Sequence, residues 1–149
     1  MHLEIRQATV DDLEALLPLV TAYRVFYRRK PEPRREREFM ETNLRERRST
    51  VFLATGAQAG AVGFAQLFQL YSTVWLGPSL ILEDLFVAPE VRGAGVAAKL
   101  LERAENYARE TGAVGMFLET AMDNAVAQRV YERAGWSRED RFYKYNARL

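Results

Sequence analysis

The stretch from residue 80 to residue 118 restricts the fold more than any other part of this chain. An apolar run, Leu80 to Val87, leads into a loop bearing proline and glycine. Val96, Leu100, Leu101, Ala104 and Ala108 then recur at helical spacing, and Val114 to Leu118 is a second apolar run. Strand, amphipathic helix and strand are read from that succession. Such a unit cannot close as a hairpin; its helix must cross the face of a sheet.

The preceding residues form hairpins instead. Val51–Ala54 and Ala61–Ala65 read as two strands around a turn at Gly56–Gly60, the second extending toward Leu70. Leu3–Arg6 alternates as a short strand. Two helices follow it: Leu13, Leu16, Leu17, Val20 and Tyr23 form one stripe, interrupted by Pro18, and Phe39, Met40 and Leu44 mark a helix in the charged segment 34–48. After Leu118, Asp123 or Asn124 can cap a helix with Ala127, Val130, Tyr131 and Ala134 inward, closed by Gly135. Arg141–Ala147 alternates like a terminal strand. Hairpins early and crossovers late predict an α/β chain, a central mixed and mostly antiparallel sheet of about seven strands with helices on both faces.

With 149 residues, 48% of them apolar, the chain suits one domain, residues 1–149. Its 21 basic and 20 acidic side chains nearly cancel, so charge points neither to nucleic acid nor to a membrane. No cysteine is present, which excludes disulfides, a thiol nucleophile and cysteine-ligated zinc; no metal is expected. The only histidine is His2, at a terminus that usually frays. No apolar run approaches ~18 residues, and Glu4 and Arg6 interrupt the N-terminal segment where a signal core would lie. A cytoplasmic protein is expected.

Val87-Ala88-Pro89-Glu90-Val91-Arg92-Gly93-Ala94-Gly95-Val96-Ala97 joins the buried strand to the amphipathic helix. Gly93 and Gly95 let the backbone turn sharply and a ligand approach its amides. Those amides open a helix, where the first four N–H groups lack partners and the dipole is positive, so a pyrophosphate suits them. Arg92 adds a permanent fork of donors. A Walker loop is excluded, because Lys99 comes a turn too late and no hydroxyl follows it. Gly93-x-Gly95-x-x-Ala98 meets a relaxed dinucleotide fingerprint, but five residues separate strand from glycine and little chain remains for a dinucleotide half-fold. A ligand-free tight turn is the third reading.

These residues resemble the GNAT superfamily of N-acetyltransferases. Arg92-x-x-Gly95-x-Ala97 meets the family's Arg/Gln-x-x-Gly-x-Gly/Ala loop, Glu83–Pro89 looks like its fourth strand, and Leu118-Glu119-Thr120…Asn124…Ala127…Tyr131-Glu132…Gly135-Trp136 looks like its fifth strand and next helix. The resemblance covers residues 80–137 closely and is weak before residue 50. It implies an acetyl-CoA-dependent transfer to an amine, with no metal. The backbone of Leu85, Phe86 and Val87 would pair with the pantetheine arm. Arg92, Gly93, Ala94, Gly95, Val96 and Ala97 would hold the pyrophosphate, and Asn124 would touch the cofactor arm. Tyr131 would protonate the leaving thiolate. By spacing alone Tyr131 is equally a core tyrosine, and Asn124 an N-cap.

Glu83 and Asp84 stand together inside an apolar run. Strand neighbours point to opposite faces, so at least one carboxylate should meet a covered side or a cleft, where desolvation raises its pKa. An amine of pKa ~10 must lose a proton before it attacks a thioester, and a raised carboxylate can take it. Glu83 is the expected base, Asp84 the group that binds a cationic acceptor, and Glu119 the reserve; pairing with helix arginines is the alternative. The Glu-Asp pair resembles that of the spermidine/spermine and yeast-type histone and polyamine acetyltransferases, which implies a small cationic amine. Tyr23, Phe26 and Tyr27, ahead of Arg28-Arg29-Lys30, form either an acceptor wall or core packing. Gln66, Tyr71, Ser72 and Trp75 lie where an acceptor cleft or a partner-binding edge would open; Tyr27, Tyr71, Asp84 and Glu119 are the acceptor-site candidates. The resemblance also implies a homodimer, paired through late strands, with Phe142, Tyr143 and Tyr145 to cover. A non-catalytic acyl-CoA sensor and a nucleotide-dependent oxidoreductase are the rival classes.

Overall fold

A computed structural model describes residues 2–149. The chain divides into two compact units, one running to Glu119 and one from Thr120 to Leu149.

The first unit is built on a five-stranded sheet in the order β1-β2-β3-β4-β5: β1 (Leu3–Gln7), β2 (Ser49–Gly56), β3 (Gly60–Ser72), β4 (Gly77–Val87) and β5 (Gly115–Phe117). The first four pair antiparallel and β4 pairs with β5 in parallel, so the sheet is mixed and mostly antiparallel. Helices α1 (Leu13–Phe26), α2 (Pro33–Arg45) and α3 (Val96–Glu110) cover it.

Both faces are occupied. Val51 and Leu53 of β2, Phe64 of β3 and Phe86 of β4 share a core with Leu13, Leu16, Leu19, Val20 and Met40 from α1 and α2. Phe52, one residue out of phase, meets α3 through Tyr107 and the Arg103 guanidinium. Because side chains alternate along a strand, the consecutively buried Val51–Ala54 run marks a strand buried on both sides. On α3 the buried side chains are Val96, Leu100, Leu101, Ala104 and Ala108, the stripe that the periodicity predicts.

The second unit contains α4 (Ala125–Arg133), capped by Asn124, whose side chain accepts from the Ala127 N–H at 3.1 Å. Among the described residues the expected terminal strand does not form, the sheet has five strands instead of about seven, and Arg141–Ala147 has no ladder partner; Phe142, Tyr143 and Tyr145 are exposed. Alternation favours a strand only where a neighbour supplies hydrogen bonds and cover. Among the described residues, no helix is long and apolar enough to cross a membrane.

Candidate active site

The loop between β4 and α3 has the geometry of an anion cradle. Gly93 and Gly95 adopt φ of +87° and +78°, and a Cβ built at either would meet nothing within 4 Å. Gly95 occupies the N-cap of α3 without a side chain to cap it, and the first helical bond runs from the Lys99 N–H to the Gly95 carbonyl at 3.1 Å. The amides of Gly95, Val96, Ala97 and Ala98 therefore precede the helical ladder, at its positive end. Arg92 is exposed; its Nε donates to the Val87 carbonyl at 3.0 Å, and its guanidinium sits 5.6 Å from the Phe86 ring centroid. One donor is spent on orientation, and the Nη groups remain for a ligand. A diphosphate fits amides, open glycines and an oriented guanidinium.

Beside this loop β4 has an open side. Its pairing with β5 covers only Ser79–Ile81, while its pairing with β3 runs on to Val87. The Ala88 N–H bonds the Val62 carbonyl at 2.8 Å, so by strand alternation the backbone of Phe86 faces β3. The amides of Leu85 and Val87 and the Leu85 carbonyl face the open side, where an extended ligand arm can pair with them; the Val87 carbonyl there already accepts from Arg92 Nε. Of the three expected residues, Phe86 turns its backbone toward β3 and lays its ring beneath Arg92.

A β-bulge separates the two adjacent acids. Gln66 pairs with Asp84 and Leu67 with Leu82, leaving Glu83 as the extra residue. Glu83 is exposed and Asp84 is half-buried. Asp84 accepts from Gln66 Nε2 at 2.6 Å, and the Tyr23 hydroxyl of α1 lies against both the Asp84 carboxylate and, at 3.4 Å, the Glu83 carbonyl. Burial is the main influence on Asp84: despite the Gln66 bond, and with help from the Glu83 charge, its pKa is pushed up to about 6. Burial and the same carboxylate push the Tyr23 phenol upward as well. The desolvated acid expected at Glu83 is therefore Asp84, because the bulge turns Glu83 to solvent.

Aromatic rings surround Asp84. Tyr23 packs edge-on against Phe64 and Phe86, each at 5.8 Å, and against Tyr27 at 5.0 Å. Tyr27 and Phe26 end α1 with much of their surface exposed. Gln66 is buried at 2% exposure and lines no open cleft. Tyr71 and Trp75 are exposed at the far end of the β3–β4 hairpin, where the Ser72 hydroxyl accepts from the Trp75 N–H. Glu119 is exposed beyond β5. In the second unit Tyr131 of α4 packs its ring 6.1 Å from that of Trp136. Among the described residues no cluster of His, Cys, Asp or Glu could hold a metal ion. The polar residues that sequence reasoning missed are Asn43 and Ser49, which touch Gln66; neither has a local pattern that announces it.

A helix start suited to a phosphate, a strand edge open to an extended arm and a nearby raised carboxylate are together what transfer from an acyl-CoA requires. The sequence profile of the acetyltransferase (GNAT) family matches residues 13–136, and the chain belongs to that family, as an N-acetyltransferase with acetyl-CoA as its donor. It is similar to the uncharacterized N-acetyltransferase YhfO of Bacillus subtilis, 34% identical over 143 residues that span 96% of this chain and 95% of that one. A crystal structure of a probable acetyltransferase superposes with a TM-score of 0.92 at 39% identity, covering 98% and 97% of the two chains. An aminoglycoside N-acetyltransferase in complex with CoA gives 0.83 at 25% identity over 99% and 96%.

Proposed function

We propose that the chain works as a single N-acetyltransferase domain, 1–149, moving acetyl directly from acetyl-CoA to the primary amine of a small cationic acceptor such as a polyamine or diamine. The observation that carries this is Asp84, a raised carboxylate under aromatic rings beside the exposed Glu83. Carboxylates and ring faces both attract an ammonium group. The CoA-bound aminoglycoside enzyme, whose acceptors are themselves amine-rich, supports a cationic substrate; the Glu-Asp motif leans toward polyamines.

Asp84 takes the ammonium proton, directly or through a water, and Glu83 draws the cation in. Moving a proton from an amine of pKa ~10 to an acid near 6 is uphill by ~5 kcal/mol, against ~8 kcal/mol for an ordinary aspartate, so burial removes ~3 kcal/mol. The freed amine attacks the thioester carbonyl, the C–S bond breaks, the nitrogen sheds its second proton, and the thiolate takes a proton up. Tyr131 is the proposed donor on its motif position, and Asn124 the contact to the cofactor arm. Amides on the open side of β4 polarise the carbonyl, and the α3 start with Arg92 binds the diphosphate. Phe142, Tyr143 and Tyr145, exposed, support a homodimer; sedimentation showing only monomer at micromolar concentration would remove that part.

The test is CoA release across polyamines, lysine analogues, aminoglycosides and peptides, with calorimetric CoA binding alongside. Asp84→Asn should abolish most turnover and spare CoA affinity, whereas Arg92→Glu should weaken CoA binding by roughly tenfold or more. Thermal stabilisation by acetyl-CoA with no turnover on any amine would leave a sensor in place of an enzyme. A best acceptor without a cationic amine would refute the acceptor class alone.

A further inference from the structure

The amide of Gln66 lies at the centre of a buried polar cluster that the transfer chemistry above does not use. Gln66 is 2% exposed and Asn43 3%. A primary amide has two donor and two acceptor positions, and here all four are matched. Gln66 Oε1 accepts from Ser49 Oγ at 2.7 Å and from Asn43 Nδ2 at 3.3 Å; Nε2 donates to Asp84 Oδ2 at 2.6 Å and faces Met40 Sδ at 3.8 Å. The amide therefore has one stable orientation. Turning it over would set its oxygen against the Asp84 carboxylate and its N–H groups against the Asn43 donor, at a cost that buried polar groups do not recover.

We propose that Gln66 is the positioning residue of the acceptor site: its amide, oriented by Ser49 of β2 and by Asn43 of α2, fixes the Asp84 carboxylate toward the incoming ammonium. The proposal rests on the reading that Asp84 receives the proton. It explains why a fully buried side chain on the central strand β3 is polar at all. Burying an amide costs free energy unless every group is met, and a leucine would fill the space more cheaply. It also makes α2 part of the acceptor site, since Asn43 holds the far side of the amide.

Asp84 is also met by titratable groups: Glu83 on β4 itself, which disfavours its charge, and Tyr23 on α1, with Tyr27 beside Tyr23. From β3 comes the neutral Gln66, with Met40 and Asn43 of α2 behind it. Gln66→Met preserves length and packing but removes the donor. The acid limb of kcat/KM should then move up by about one pH unit, and the Asp84 carboxyl carbon, followed by NMR in the free protein and assigned against Asp84→Asn, should titrate higher by the same amount. A Gln66→Met protein with native circular dichroism and an unmoved Asp84 titration would overturn the proposal. If the NMR titration moves while the rate profile does not, Gln66 positions Asp84 but Asp84 is not the base, which separates the two ideas. Should Gln66→Met not fold, Asn43→Ala carries the test. Freed on one side, the amide should raise the Asp84 titration by a smaller amount, and no shift there would equally refute the role.

Discussion

Replacing Asp84 by Asn gives a stability test that needs no substrate. The folded protein holds Asp84 near pKa 6, against an ordinary 3.8. A carboxyl group whose pKa is raised on folding binds its proton more tightly in the native state, so protonation favours the fold and stability falls as pH rises from the unfolded toward the folded value. With those two values the penalty is about 1 kcal/mol at pH 4.5 and about 3 kcal/mol at pH 7.5, a change of about 2 kcal/mol across the window. An asparagine keeps an oxygen for the Gln66 N–H and carries no charge, so Asp84→Asn should lack this penalty. Urea denaturation of both proteins at pH 4.5 and 7.5 isolates the effect, because every other titrating group cancels in the difference. The Asn variant should gain about 2 kcal/mol on wild type between the two pH values. A difference that does not change with pH would show that Asp84 is not desolvated. One that runs the other way would show that Gln66 and Tyr23 stabilise the charge more than burial opposes it.

Gly63→Ala should destabilise by about 1–3 kcal/mol in urea, because its Cβ would stand 2.8 Å from the Phe86 carbonyl oxygen and 3.2 Å from Leu100, and the backbone oxygen cannot move without β4. Glu36→Ala should lower the thermal midpoint far more than Glu38→Ala. Buried Glu36 is bonded by Thr21, by Arg24 at 2.6 Å and by the Glu32 N–H at 2.8 Å, whereas Glu38 makes an exposed pair with Arg34. Equal midpoints would show that the Glu36 cluster does not hold α1 to α2. Deleting Glu83 removes the bulge yet leaves the Leu67–Leu82 and Gln66–Asp84 pairs in place, so the chain should fold with native circular dichroism. Its kcat/KM should nevertheless fall roughly tenfold or more below that of Glu83→Ala, which loses the same carboxylate but keeps the bulge, because the bulge aims the following segment of β4; equal activity of the two would show that the bulge aims nothing.

The sequence discloses the loop far better than the acceptor side, and the reason is range. Gly93 and Gly95 announce positive φ, and five apolar positions announce the buried stripe of α3, because each signal lies within a few residues of what it specifies. The buried polar residues carry no such signal. Phe39, Met40 and Leu44 mark the apolar phase of α2, yet Phe39 is 56% exposed and Glu36 is buried. Periodicity counts apolar side chains; it cannot see that Arg24, twelve residues earlier on another helix, neutralises Glu36. Gln66 looks like an acceptor-facing polar residue for the same reason, since Asn43 and Ser49, its partners, are 23 and 17 residues away. The segment from Arg141 to Ala147 misleads in the opposite direction: its alternation is local and real, but no partner strand meets it.

The bulge at Glu83 shows how one inserted residue sorts two adjacent charges. In a regular strand Glu83 and Asp84 would point to opposite faces, one toward α1 and α2 and the other toward α3. The first face offers Gln66 and Tyr23 as donors. The second is lined beside Gly63 by Val96 and Leu100. The bulge therefore lets the strand carry both acids next to each other, one desolvated enough to accept a proton near neutral pH and the other left in water to attract a cation. From the letters alone either acid could be the buried one, because a run from Leu80 to Val87 reads as a strand wherever the extra residue falls. What decides it is the partner across the ladder: with Glu83 as the extra residue, Gln66 stands opposite Asp84, and that amide and that carboxylate share a face.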